Sequence, residues 1–163
     1  MTRSVARAAS PPVAWGTEME TPQLASLAFM MRSDRKALFV RHAAGPFAGR
    51  WSLPFIGVAD AETAEDALGR LLRDYLYVTP GAFEFLDTIA ITGSDGERFI
   101  ANGFTCTLWQ GDPKFPEKLY EDAIWAVPSQ AITLDLLPEL QAWLEQTFPG
   151  GTAHPRMARY TAS

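Results

Sequence analysis

The chain has 163 residues, a mass of 17.9 kDa and a hydrophobic fraction of 47%, which together suit one domain of ordinary size. The lone Cys106 excludes an internal disulfide and a cysteine-rich zinc site, which favours a reducing, cytoplasmic setting. A net charge of −5 argues against non-specific binding to nucleic acid or anionic lipid, and no apolar run is long enough to span a bilayer. We therefore expect a soluble protein with neither a nucleic-acid nor a membrane partner.

Composition predicts a folded body between two flexible tails. Residues 1–21 contain prolines with Ala, Ser and Thr and show no apolar period, and residues 149–163 begin with Pro-Gly-Gly. These terminal segments hold 4 of the 14 basic residues and 2 of the 19 acidic ones, which leaves ten and seventeen in residues 22–148. The predicted folded body is therefore more acidic than the whole chain.

The first half of the body predicts two strands and a helix. Residues 24–31 and 36–41 are apolar runs on either side of a Ser-Asp-Arg turn, a pattern typical of a β-hairpin. From Ala64 to Leu76 the apolar residues recur at spacings of three and four, which predicts one buried helix face. Thr63 and Asp66 resemble a capping box at the start of this helix.

The second half predicts three more strands and a closing helix. Residues 83–92 and 99–109 flank the turn at 93–96 and form a second hairpin pattern, and residues 123–127 form a short strand. The last apolar helical period covers residues 136–148. This order predicts an α/β fold of the α+β type, in which helices pack on a mixed sheet.

The region around the first helix carries a recognisable pattern. It includes Arg50-Trp51-Ser52-Leu53-Pro54, then Glu62, and then Arg70 within the helix. This pattern resembles the Nudix hydrolase superfamily, and the likeness extends over roughly residues 22–148. The resemblance implies a Nudix-like α/β/α sandwich with a mixed β-sheet flanked by helices.

The Nudix signature is Gly, five residues, Glu, seven residues, then Arg-Glu-U-x-Glu-Glu-x-Gly-U, in which U is a bulky aliphatic residue. Proteins that carry it cleave nucleoside diphosphates linked to another group, with Mg²⁺ or Mn²⁺ held on the helix. The three glutamates after the arginine lie at i, i+3 and i+4, so they share one helix face. Mg²⁺ prefers such oxygen ligands, together with substrate phosphates and water.

The signature is only partly retained here. Glu62 matches its first glutamate and Arg70 its arginine, while Leu72 and Val78 match the two aliphatic positions. The resemblance therefore implies catalytic roles for Glu62 and Arg70, with Asp74 as the one surviving acid on the metal-binding face. The remaining signature positions are substituted: Ile56 for the first glycine, Leu71 and Tyr75 for two glutamates, and Tyr77 for the closing glycine.

These substitutions predict a weakened metal site. If the chain is active, we expect Asp74 to hold Mg²⁺ or Mn²⁺ with help from Glu121 or Asp122, and otherwise no cofactor. The alternative interpretation of the helix is a packing element whose apolar stripe is widened by Leu71 and Tyr75. Glu62 is expected to hold the preceding loop through backbone N–H groups, and the acids at 121 and 122 could equally be solvated.

Candidate binding residues precede the helix. Arg41 and Arg50 lie on or beside the first predicted hairpin, from which they could contact phosphates, and Trp51 could stack on a planar group. The implied ligand is a small-molecule nucleoside diphosphate derivative. Neither His42 nor His154 indicates a site from sequence.

Two functions follow from this pattern and stay open. The first is a hydrolase of nucleoside diphosphate derivatives whose activity is weak, altered or absent because its signature is degenerate. The alternative is a catalytically inactive Nudix-fold module that binds a nucleotide or a protein partner. The sequence does not decide whether the chain is an enzyme or whether it forms a homodimer.

Overall fold

A computed structural model describes residues 21–149, so most of both predicted tails lies outside the described residues. The strands are β1 (Gln23–Met30), β2 (Ala37–His42), β3 (Trp51–Ser52), β4 (Phe55–Gly57), β5 (Thr79–Pro80), β6 (Phe83–Thr92), β7 (Arg98–Cys106), β8 (Trp109–Gln110) and β9 (Tyr120–Ala126). The helices are α1 (Ala64–Arg70), a π-helical turn (Leu71–Tyr75), a 3-10 helix (Pro128–Thr133) and α2 (Pro138–Thr147). No helix within residues 21–149 has the length and apolarity needed to cross a membrane.

The strands form two main sheets and a small ribbon. The larger sheet has the order β4-β1-β7-β6 and is mixed, because β1 runs parallel to β7 and antiparallel to β4. The second sheet, β3-β2-β9, is antiparallel, and β5 pairs with β8. The predicted combination of a mixed sheet with a small number of helices is confirmed.

The first predicted hairpin is wrong in its pairing. β1 and β2 are joined by the predicted turn, but only the isolated bridge Met31–Ala37 links their ends, and the two strands belong to different sheets. The reason is burial: residues 25–30 of β1 are all buried, so this strand needs partners along both edges. It finds them in β4 and β7.

The second predicted hairpin is confirmed. β6 and β7 pair antiparallel from Phe83–Cys106 to Thr92–Arg98, with a register shift near Phe85. The connecting turn includes Gly96 at φ +87°, a left-handed conformation that glycine adopts without strain. β9 begins at Tyr120, earlier than the predicted start at Ala123.

Alternating side chains on β1 and β2 divide the core into two layers. Leu27, Phe29 and Phe39 pack in the cluster that contains α2, whereas Met30 and Leu38 pack in the cluster that contains α1. This period-two alternation places the two helices on opposite faces of the strands. The result is the predicted sandwich of helix, strand and helix layers.

The two helices bury the faces that their apolar periods predict. At the start of α1, Thr63 accepts a hydrogen bond from the Asp66 N–H at 3.0 Å, and Asp66 accepts one from the Thr63 N–H, so the predicted capping box is present. In α2 and at its ends, the buried residues are the predicted ones: Leu137, Leu140, Trp143, Leu144 and Phe148. The Trp143 indole N–H donates to Asp87 at 2.9 Å and ties α2 to β6.

Candidate functional site

Glu62 and Arg70 form an ion pair between the loop that precedes α1 and the end of α1. Arg70 donates from Nε to Glu62 Oε2 at 3.0 Å and from Nη2 to Oε1 at 2.8 Å, a bidentate arrangement. Arg70 Nη2 also donates to the Gly57 carbonyl at 3.0 Å, and the Ala59 N–H donates to Glu62 Oε1 at 2.8 Å. The expectation that Glu62 holds this loop through a backbone donor is therefore confirmed.

The electrostatics of the pair match this geometry. Hydrogen bonds from Arg70 and then from the Ala59 N–H lower the pKa of Glu62 to about 2, because both stabilise its charged form. The hydrogen bond with Glu62 raises the pKa of Arg70. Both oxygens of Glu62 are engaged, so this carboxylate holds the loop against the helix.

The three positions that align with the later signature glutamates are occupied by Leu71, Asp74 and Tyr75, which differ in exposure. Leu71 is 0% exposed and packs in the core cluster with its neighbour Leu72. Tyr75 is half-buried against the same cluster, and only Asp74 is exposed. The predicted packing role of Leu71 and Tyr75 is confirmed.

The backbone supports the alignment of this segment with the signature. Tyr77, at the position of the closing glycine, has φ 61°, a left-handed conformation that is uncommon for residues other than glycine. At the other end Ile56 is only 5% exposed and belongs to the core, whereas its neighbour Gly57 is exposed. The left-handed backbone at Tyr77 thus falls at the position where the aligned signature has a glycine.

Two predicted binding residues and both auxiliary acids lie together on the second sheet. Arg41 pairs in register with Trp51 on one side and with Asp122 on the other. The Arg41 guanidinium forms an ion pair with Glu121 at 3.0 Å and lies 5.9 Å from the centroid of the Trp51 ring. The structure thus groups these four residues along β2, β3 and β9.

Arg50 lies in a different environment from Arg41. Its guanidinium donates to the Leu136 carbonyl at 2.8 Å and pairs with Asp135 at 3.5 Å, next to the start of α2. These contacts fix the entry to α2. A role for Arg50 in binding a ligand remains a prediction.

The side chains on the helix do not fit a Mg²⁺ site of the Nudix type. Leu71 supplies no oxygen ligand and is buried, and Tyr75 offers a phenol hydroxyl where the signature has a carboxylate. Among residues 21–149, no group of three or more His, Cys, Asp or Glu side chains could hold a metal ion. The assignment of Asp74, Glu121 and Asp122 as ligands stays a prediction.

A pocket that sequence reasoning missed lies beside the helix. We call it the aromatic pocket; it has a volume of about 250 Å³, and its lining includes His42, Phe47, Phe55, Gly57, Tyr75 and Tyr120. Gly57 follows the position of the first signature glycine, and Tyr75 occupies the position of a later signature glutamate. The pocket therefore lies between the two ends of the signature segment. The lining residues come from β2, β4, β9, the helix and intervening loops, which only the folded chain brings together.

Two polar side chains of the aromatic pocket, His42 and Tyr120, are buried. His42 is 7% exposed, and burial lowers its pKa to about 4, so the imidazole is neutral at neutral pH. Tyr120 is 4% exposed, and burial, followed by its interaction with Tyr75, raises the pKa of its hydroxyl. Both residues therefore present uncharged hydrogen-bonding groups.

Structure comparison identifies the fold. The chain is similar to a MutT NUDIX hydrolase from Burkholderia pseudomallei, with 23% identity and a TM-score of 0.67 over 78% of this chain and 98% of the other. It is also similar to the NUDIX domain of Shewanella oneidensis NrtR complexed with ADP ribose, with 20% identity and a TM-score of 0.63 over 80% and 89% of the two chains. The MutT protein of Methanosarcina mazei Go1 gives 16% identity and a TM-score of 0.67 over 89% and 99%.

These similarities show that the chain has the Nudix hydrolase fold over nearly the full length of the three structures. No protein-family model and no curated protein matches the chain. At such low identities the comparison establishes the fold alone.

Proposed function

We propose that this chain is a ligand-binding Nudix-fold module that takes a nucleoside diphosphate derivative without the divalent metal that Nudix hydrolases use. The observation that carries the proposal is that the chain has the ion pair of the signature but not the carboxylates of its metal-binding face. The Glu62–Arg70 pair that shapes the loop is intact, whereas Leu71 is buried and Tyr75 replaces a second carboxylate. A chain that keeps the framework of the cleft and has lost the metal-binding face is suited to binding.

The loop network gives this module a preformed cleft. Glu62 and Arg70 close the loop of residues 57–62 onto α1 through four hydrogen bonds, two of which engage backbone atoms of Gly57 and Ala59. A loop fixed in this way loses little further conformational freedom when a ligand binds. The pair therefore supports binding without taking part in chemistry.

The choice of ligand rests on a similar structure and on the side chains beside the site. One similar structure is a NUDIX domain in complex with ADP ribose, and we propose ADP-ribose as the test ligand of the same class. Arg41 remains about two-fifths exposed beside Trp51 and could bind a phosphate once its contact with Glu121 is exchanged. This arrangement supplies a cation and a planar surface without a metal.

A second candidate function is a weak hydrolase that depends on metal. It is favoured by the exposure of Asp74 on the π-helical turn, where a carboxylate is free to meet a hydrated Mg²⁺. In that case Glu121 or Asp122 would complete the site. A cytoplasmic location and a folded body at residues 22–148 are shared by both candidates.

Calorimetry in the full chain separates the candidates. We expect ADP-ribose to bind in EDTA with an affinity within about threefold of that in Mg²⁺. The reason is that the helix has no cluster of carboxylates that a metal would have to link to the diphosphate. We expect no release of AMP in Mg²⁺ or Mn²⁺ when the products are followed by chromatography. Asp74→Asn is the matched variant, since it removes the charge and keeps the shape.

Two results would overturn the proposal. Binding that disappears in EDTA would show that the ligand is held through a metal. Turnover that is lost in Asp74→Asn would establish the hydrolase instead, whereas turnover that survives in this variant would place the catalytic metal elsewhere.

A further inference from the structure

The aromatic pocket has a lining suited to an uncharged ring. Phe47 and Phe55 meet edge to face with centroids 4.6 Å apart, and the His42 ring lies 6.0 Å from that of Tyr120. None of the described residues that line the pocket is Asp, Glu, Lys or Arg. A diphosphate in this pocket would lack a cationic partner, and burial of an unpaired charge is strongly unfavourable.

Tyr120 supplies an unused donor at this pocket. Its hydroxyl oxygen is buried and has no hydrogen-bond partner among residues 21–149. The ring is held by contacts with His42 and Phe115, so the hydroxyl is fixed in position. Buried polar groups in proteins are nearly always paired, so a hydroxyl without a protein partner beside a pocket is open to pairing with a water or a ligand in that pocket.

His42, whose ring lies beside that of Tyr120, supplies an acceptor. Its Nε2 lies 2.9 Å from Ser52 Oγ, and the Ser52 hydroxyl donates its only proton to the Leu53 carbonyl at 2.5 Å. Ser52 Oγ therefore accepts from His42 Nε2–H, which assigns the neutral tautomer with a lone pair on Nδ1. The pocket thus combines an O–H donor with a ring-nitrogen acceptor between aromatic walls.

We propose that the aromatic pocket binds an uncharged heteroaromatic ring whose edge carries an acceptor and a donor, as the amidine edge of adenine does. Tyr120 Oη would donate to a ring nitrogen, His42 Nδ1 would accept from the exocyclic amine, and Phe47 and Phe55 would contact the ring. This inference rests on the proposed function and deepens it. It places the base of the nucleotide, rather than its diphosphate, between the two ends of the degenerate signature.

The test compares fragments of one ligand in EDTA. The probes are adenosine, ribose 5-phosphate and ADP-ribose, measured by calorimetry with the full chain. The variants are Tyr120→Phe, which removes only the hydroxyl, and Tyr77→Phe, the matched control at an exposed tyrosine outside the pocket. We expect adenosine to bind and ribose 5-phosphate not to bind, and we expect Tyr120→Phe to weaken both adenosine and ADP-ribose about tenfold.

A melting curve of Tyr120→Phe distinguishes ligand binding from a structural role. Loss of an unpaired buried hydroxyl should leave the free protein at least as stable as the wild type, whereas Tyr77→Phe should change neither stability nor affinity. A lower melting temperature for Tyr120→Phe would show that the hydroxyl has an internal partner and would overturn the inference.

The remaining outcomes separate the inference from the proposed function. If ADP-ribose binds the wild type and Tyr120→Phe equally, or if ribose 5-phosphate binds and adenosine does not, the proposed function stands and the base lies outside this pocket. If ADP-ribose fails to bind the wild type at all, the proposed function fails, and this inference fails with it.

Discussion

Replacing Leu71 with glutamate introduces a carboxylate at a position where the Nudix signature has one, and the structure predicts that the change destabilises the protein. Leu71 is 0% exposed, so the variant loses the burial of a leucine side chain, which contributes about 1.5–3 kcal/mol. Keeping a glutamate of ordinary pKa protonated at pH 7 in the core costs about 3.7 kcal/mol more. The total of about 5–7 kcal/mol reaches the lower range of the whole folding free energy of a typical domain, about 5–15 kcal/mol.

The assay is urea unfolding followed by tryptophan fluorescence, with Leu71→Met as the control. Methionine conserves volume and polarity, so its expected loss is below about 1.5 kcal/mol. Calorimetry with Mg²⁺ alone then asks whether the new carboxylate binds metal, and we expect no gain. A Leu71→Glu protein within about 1 kcal/mol of the wild type that also binds Mg²⁺ would show that position 71 faces the cleft, and the reasoning from burial would be refuted.

Two further predictions concern pH. The lowered pKa of Glu62, about 2, means that its pair with Arg70 stabilises the fold above the unfolded pKa of about 4.5, and that this stability is lost as pH falls from 4.5 to 2. The free energy of unfolding should change less with pH across that interval in Glu62→Gln than in the wild type. An equal pH dependence in the two proteins would contradict a stabilising ion pair. Burial of neutral His42, with a pKa of about 4, means that the unfolded state binds the extra proton between pH 6.5 and 4. Urea unfolding should therefore lose about 2 kcal/mol between pH 7.5 and pH 5, and an unchanged loss in His42→Gln would assign it to other groups.

The helix and its signature are the parts of the site that the sequence predicts best. Thr63, Asp66 and the apolar residues up to Leu76 act through contacts a few residues apart, so periodicity and capping chemistry identify them. The buried state of Leu71 follows from the same stripe. Glu62 and Arg70 lie only eight positions apart, at the two ends of α1, and the resemblance to the Nudix signature aligned both residues.

Strand pairing and the aromatic pocket depend on contacts between distant parts of the chain. A turn at residues 33–35 indicates that the chain reverses direction, but it does not show that β1 and β2 enter different sheets. His42 and Tyr120 are far apart in sequence and become neighbours only because β2 pairs with β9. The sequence signals near the pocket are Ile56 and Tyr75, which line it and occupy positions where the signature has a glycine and a glutamate.

Anomalous diffraction from crystals grown with ADP-ribose and then soaked in Mn²⁺ would show whether this Nudix fold binds its ligand while the helix face that includes Leu71, Asp74 and Tyr75 holds no metal. We expect density for the ligand in the cleft, with its base in the aromatic pocket and no manganese peak at Asp74. A manganese ion that bridges Asp74 and the diphosphate would contradict this expectation.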